Sequence, residues 1–157
     1  MTDDEFLEQV AAQKLASGFG HAEHVRLAWI LVGRFGLGGA GDVMGRMLRR
    51  HAAANGTPDA YHETITWGFL LLVNARISQD HAGAEGWDGF ARANPDLLQW
   101  PNPELHRWWS PELLASDAAR KAVALPDRGA GGNRTEVTES WVEARPDFSN
   151  RGHGGAP

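Results

Sequence analysis

Apolar residues recur at helical spacing through most of the first hundred positions. Residues 3–15 combine strong helix formers with an acidic first turn, Asp3-Asp4-Glu5, and Phe6, Val10 and Leu15 give them a modest apolar face. This predicts a first helix, broken at Ser17-Gly18-Phe19-Gly20. A second is predicted over 21–35, where His21, His24, Ala28, Leu31 and Phe35 share one stripe of a 3.6-residue period, and Gly36, Gly38 and Gly39 end it. Residues 42–55 read as a third helix, stopped at Asn55-Gly56, with Arg49, Arg50 and His51 correctly signed for its C-terminal dipole. Thr57-Pro58 is a capping residue followed by proline at a first helical position, and predicts the longest helix, over 59–79. Its β-branched residues would also suit a strand, but a run of about 20 residues without a turn signal favours helix.

The rest of the chain is punctuated, because seven of the eight prolines lie beyond residue 94. Residues 87–93 read as a short helix, and Ser110-Pro111 repeats the cap-then-proline signature to open another over 110–124, stopped by Leu125-Pro126. No alternating strand pattern of useful length occurs. The fold class predicted is all-α: a helical bundle of about five helices in a domain over 1–128. Residues 129–157 read as a polar, glycine-rich tail, expected to be partly disordered, in which Trp141 either docks back or meets a partner.

Composition narrows the function. Hydrophobic residues make up 42% of 157 residues, enough for one core, and a net charge of −5 leaves no broad basic surface for nucleic acid or anionic lipid. The most apolar run, 67–73, is far shorter than the roughly 20 residues of a membrane span, and the acidic N-terminus is unlike a secretory signal. A cytoplasmic protein with neither nucleic acid nor membrane as partner is the expectation. The absence of cysteine excludes thiolate nucleophiles and cysteine-held metals, so a metal would need His, Asp or Glu.

His21 and His24 both fall on the stripe their helix would bury, and His62 lines up with Thr66, Phe69 and Val73 on another. Burying imidazoles costs free energy unless each finds a partner, and one shared metal ion would satisfy all three. Hydrogen bonding to carboxylates or backbone carbonyls would satisfy them equally. Glu63 could be a ligand, an orienter of an imidazole or a general base, or could simply favour the helix dipole. Asp127 and Arg128, after the last helix, could supply a carboxylate and an anion clamp, or form a helix stop with a solvated ion pair. Arg26 competes with Arg128 as the anion clamp and could instead pair with Glu23. His51, His81, His106 and His153 are poorer candidates from their positions, His51 because it sits beside Arg49 and Arg50 on a helix end. The glycine-rich stretch 36–41 has neither the P-loop Lys-Ser/Thr pair nor a preceding strand, H-E-x-x-H is absent, and there is no nucleophile elbow.

Three segments carry a resemblance: Phe19-Gly20-His21-Ala22-Glu23-His24-Val25-Arg26-Leu27-Ala28-Trp29, Tyr61-His62-Glu63-Thr64-Ile65-Thr66-Trp67, and a Ser116 to Arg120 stretch leading to Leu125-Pro126-Asp127-Arg128. Over about residues 19 to 128 the chain resembles a group of small, largely uncharacterised bacterial helical proteins. The resemblance implies a composite site and leaves its reaction open; the long tail after Arg128 looks like a departure from the group. The expectation is a metal-dependent enzyme for a small molecule, anionic if Arg26 or Arg128 orients it. His21, His24 and His62 would hold Fe, Cu or Zn, and the ion would activate water or dioxygen beside Glu63, Asp127 and the arginines. The alternatives are a metal-free acid–base catalyst using His62 or His24 with Glu63, and a non-catalytic binding module that meets a protein partner or a second copy through the tail.

Overall fold

Thr2 opens α1 (Asp3–Ala12) with a reciprocal cap: its hydroxyl accepts the Glu5 N–H at 3.2 Å, and the Glu5 carboxylate accepts the Thr2 N–H at 2.7 Å. In the computed structural model, which describes residues 1–15, 18–79 and 86–129, α1 ends short of residue 15 because Gln13 turns left-handed at φ 57°. Trp141, His81, His153 and the tail from residue 130 lie outside the described residues. Phe6 and Val10 are buried, and Arg26 pairs with Asp3 at 3.2 Å to fix α1 against the next helix.

That helix, α2 (His21–Ala54), leaves helical geometry at Gly36, where φ is 65° and ψ 175°. A straight rod would separate His24 from His51 by roughly 40 Å. Both rings instead touch Phe19, with centroids 4.3 and 4.8 Å away. The chain therefore doubles back at Gly36 into two arms, residues 21–35 and 37–54, a reversal that a side chain would strain at this φ. The two helices predicted on either side of the glycines are thus present, but the turn between them takes a single residue. Phe35, expected on the buried stripe, is 54% exposed because the reversal carries the end of the first arm past the core. By length and composition α2 could cross a membrane, yet neither arm alone reaches the roughly 20 residues of a span, and Val25, Leu27, Ala28 and Leu31 are buried.

The predicted helix over 59–79 is divided in the same way. A 3-10 turn, Pro58–Ala60, is followed by extended Tyr61 and then by α3 (Glu63–Gln79). His62 is what separates them: its Nδ1 accepts the Ile65 N–H at 3.2 Å and its carbonyl accepts the Thr66 N–H at 3.0 Å, so the imidazole is the N-cap. Thr66, Phe69 and Val73 are buried as their spacing predicts. The core is built where α3 lies against both arms of α2, with Leu27, Leu31, Met44, Leu70 and Val73 inside it.

The remaining elements are α4 (Gly86–Ala93), a 3-10 turn (Pro95–Leu98), α5 (Pro103–Trp108), α6 (Pro111–Leu114) and α7 (Asp117–Lys121), with no strand among the described residues. The single helix predicted over 110–124 becomes two because Ser116 donates to the Leu113 carbonyl at 2.7 Å and accepts the Ala119 N–H at 3.2 Å, ending one helix and capping the next. The sequence reading missed α5. Asn102, fully buried, caps it by accepting the Leu105 N–H at 2.9 Å and donates to the Asp96 carbonyl at 2.9 Å. Residues 109–124 strap onto α3 through Thr64, whose hydroxyl lies 2.7 Å from the Ala119 carbonyl and 2.9 Å from that of Ala122, and accepts the Ala124 N–H at 2.9 Å.

Two contacts lend themselves to test. Gly41 is buried against the Trp67 ring, and a Cβ there would penetrate the ring's van der Waals envelope. The ring cannot easily swing aside, since its Nε1–H donates to Glu63 at 3.0 Å. Gly41→Ala should therefore destabilise the fold by about 1–3 kcal/mol despite alanine's better helix propensity. Thr64→Val should cost a similar amount, about 1–3 kcal/mol, by stranding buried backbone groups of the strap. Urea unfolding followed by circular dichroism measures both, and a neutral or stabilising outcome for either would contradict the contact concerned.

Candidate functional site

Three helix ends converge on one cavity of about 500 Å³. Gly20, His21 and His24 enter it from the start of α2, Met44, Leu48, His51, Ala52 and Asn55 from its second arm, and Tyr61, His62, Ile65, Thr66 and Phe69 from around the start of α3. Met44, Ala52, His62, Thr66 and Phe69 are buried and form its floor, while Asn55, Thr57, Ala60 and Trp100 are exposed at its rim. His21, His24 and His62, singled out by their spacing, all reach this cavity.

Their ring nitrogens, however, have different occupations. His62 Nδ1 accepts from Ile65 and Nε2–H donates to the Leu114 carbonyl at 2.8 Å, so both nitrogens serve the fold and the Nε2–H tautomer is assigned by its partners. His21 Nε2–H donates to the Leu97 carbonyl at 2.9 Å, and its ring clusters with Phe69 and Trp100, with centroids 4.8 and 5.3 Å away. Burial holds the His21 pKa below the usual imidazole value, opposed by that carbonyl. His51 Nε2 accepts from the Asn55 amide at 3.1 Å.

His24 alone of the four keeps both ring nitrogens out of hydrogen bonds; its contacts are the edge of Phe19 and the electrostatic influence of its neighbours. Burial pushes its pKa from 6.5 down to about 4, the charges His21 and His51 would carry push the same way, and Glu23 opposes them. At neutral pH it is an uncharged imidazole facing a largely apolar space.

A shared metal ion does not fit the three expected ligands. His62 could coordinate only by surrendering a helix cap or a buried carbonyl, and among the described residues no three His, Asp or Glu side chains are gathered so as to hold an ion.

The charged residues expected beside them are occupied elsewhere and do not line the cavity. Glu63 pairs with Arg49 at 2.5 Å and accepts from Trp67, so it orients no imidazole. Arg26 binds Asp3 and the Met1 carbonyl and lies over the Phe6 ring at 4.6 Å, not against Glu23. Glu23 instead accepts the Gly20 N–H at 3.0 Å as part of the α2 start. Asp127 accepts the Ser110 N–H at 2.7 Å and the Ser110 hydroxyl, bonds that hold its pKa below the usual carboxylate value. Arg128 closes the same strap, its guanidinium donating to the His106 carbonyl at 3.1 Å.

The sequence reading passed over His51 and Tyr61. Met44, Leu48, His51, Ala52 and Asn55 follow one another at helical spacing, so the stripe test that found His24 would have found His51 had the adjacent arginines not drawn attention to the helix end. The Tyr61 hydroxyl is buried at the cavity without a hydrogen-bond partner, and its ring lies 4.4 Å beneath the Arg49 guanidinium. Its pKa is raised by burial and then by the nearby Glu63.

Comparison with known proteins finds no matching family model, no matching curated protein and no matching solved structure.

The depressed His24 pKa fixes a pH dependence. Between about pH 4 and 6.5 the unfolded chain binds a proton that the folded chain rejects, so stability is greatest above 6.5 and falls as pH drops toward 4. The loss from this residue is roughly 3 kcal/mol at most, and His21 adds to it in the same direction. Urea unfolding at several pH values should show this decline, and His24→Leu should flatten it. An unchanged slope in that variant would place the proton elsewhere.

Proposed function

We propose that the cavity is a binding site for a small organic molecule, with His24 as the group that meets its polar end and accepts a hydrogen bond from it. The observation that carries this reading is the unpaired, neutral His24 ring facing an apolar cavity in which the other imidazoles are tied to carbonyls or to Asn55. A volume of about 500 Å³ falls in the range of small-molecule pockets, and the mixture of apolar walls with a few polar groups is their usual composition. A neutral imidazole in such a place serves either as a specificity contact or as a general base, according to whether the bound proton is labile. This follows the metal-free alternative of the sequence expectation, taking His24 rather than His62 and leaving out Glu63.

A fragment screen by ligand-observed NMR tests the reading directly. Fragments should bind the wild-type chain and lose binding in Ala52→Phe, which places a ring in the cavity. Circular dichroism should show that this variant retains its helices. Fragments that bind equally well to the filled variant, or a screen without hits, would remove the cavity from consideration.

A further inference from the structure

The class of molecule follows from what the cavity wall lacks. Its lining contains no Asp, Glu, Lys or Arg. Arg49, over the Tyr61 ring, is already paired with Glu63. A phosphate or carboxylate placed here would find no lysine or arginine, and an ammonium no carboxylate. Burying an unpaired charge is far costlier than burying a hydrogen-bonded neutral group, so a charged ligand is selected against by the wall itself.

What the wall offers is a set of ring faces and one free hydrogen-bonding ring. Phe69 and Trp100 flank His21, with their own centroids 6.4 Å apart, and Trp100 is 57% exposed at the mouth, where an entering ring would meet it first. Thr66 gives its hydroxyl proton to the His62 carbonyl at 2.9 Å and Thr57 lies 3.4 Å from the Ala52 carbonyl, so neither is an unspent donor. The Tyr61 hydroxyl has no partner but is shut away from solvent, whereas His24 presents a lone pair on one ring nitrogen and an N–H on the other.

Resting on the binding reading above, we infer that the cavity takes an uncharged aromatic molecule carrying a hydroxyl, its ring against Phe69 and Trp100 and its O–H donated to the His24 ring. No covalent step is implied. The hydroxyl satisfies an imidazole that the fold leaves without a partner, and the ring displaces water from an apolar wall. The expectation of an anionic substrate held by Arg26 or Arg128 is replaced, since neither arginine lines the cavity.

A series of naphthalenes with different polar ends tests this at pH 7 by isothermal titration calorimetry. 2-Naphthol should bind about tenfold or more tightly than 2-naphthoate, 2-naphthyl phosphate or 2-naphthylmethylammonium. His24→Leu, which keeps an apolar side chain of similar reach, should weaken 2-naphthol by about tenfold while leaving unsubstituted naphthalene unchanged. A charged analogue that binds as tightly as 2-naphthol, or a His24→Leu chain that retains full affinity for it, would overturn the inference and leave the binding reading intact. If the fragments of the preceding screen bind but no naphthalene does, the aromatic class is wrong. If Ala52→Phe abolishes neither fragment nor naphthol binding, the cavity reading itself falls.

Discussion

The start of α3 holds the molecule together, and it does so through one imidazole. Because His62 Nδ1 caps the helix by accepting the Ile65 N–H, the ring proton must sit on Nε2, and Nε2–H is thereby aimed at the Leu114 carbonyl. One tautomer satisfies a helix end and a distant buried carbonyl together. The neighbouring residues extend the tie to other elements. Tyr61 lies under Arg49 of α2, Glu63 pairs with that arginine and with Trp67, and Thr64 receives the backbone of α7 and the segment after it. A net gain of about 1 kcal/mol for each hydrogen bond understates the arrangement, since removing one partner strands a buried group. Four consecutive residues thus connect the second arm of α2, α6 and α7 to the helix at the centre of the core.

This concentration of bonds fixes the character of the cavity beside it. Nearly every polar group that reaches the cavity wall is already a partner in the fold: His62 and Thr66 at the α3 start, His21 to the 3-10 turn before α5, and Asn55 with His51 at the end of α2. The arginines and carboxylates are drawn to the outside of the same elements. An apolar space lined by imidazoles but without formal charge is the result. His24 is exempt: its backbone N–H is bonded to the Gly20 carbonyl at 3.1 Å, and its ring packs edge-on with Phe19 without a hydrogen bond. The doubling back at Gly36 then brings His51 to the other side of Phe19. Burial first, and then the charges His21 and His51 would carry, keep His24 neutral.

The legible part of this in the sequence was periodicity. The stripes through His21 and His24 and through His62, Thr66, Phe69 and Val73 point where the structure places them, and Gly36 marks the reversal. Local signals also existed for elements that went unread: Asn102-Pro103 has the same cap-then-proline form as Thr57-Pro58, and Ser116 is a capping residue inside what looked like one helix. The roles of Glu63, Asp127 and Arg128 were beyond local reading for a different reason. An acidic residue at a helix start and a Pro-Asp-Arg end look the same whether they serve catalysis or packing, and the deciding partners are Arg49, Ser110 and the His106 carbonyl, 14 to 22 residues away. A charged side chain acquires its role from its partner in space, and spacing along one helix carries no information about that partner.

The same consideration separates fold from function within the three segments singled out in the sequence. In the first, Arg26 fixes α1, Glu23 completes the α2 start, and Leu27 and Ala28 are core. In the second, His62, Thr64 and Thr66 are hydrogen-bonded to backbone, and Glu63 and Trp67 to each other. In the third, Ser116 caps α7, Arg120 donates to the Asp59 carbonyl at 2.9 Å, and Asp127 and Arg128 close the strap. Each of these residues would be required by the architecture even in a protein with no ligand. His24 is different: its ring packs against Phe19 and lines the cavity, and neither of its nitrogens makes a hydrogen bond to the fold. No element of the fold depends on it for a hydrogen bond, so the architecture does not require an imidazole at this position.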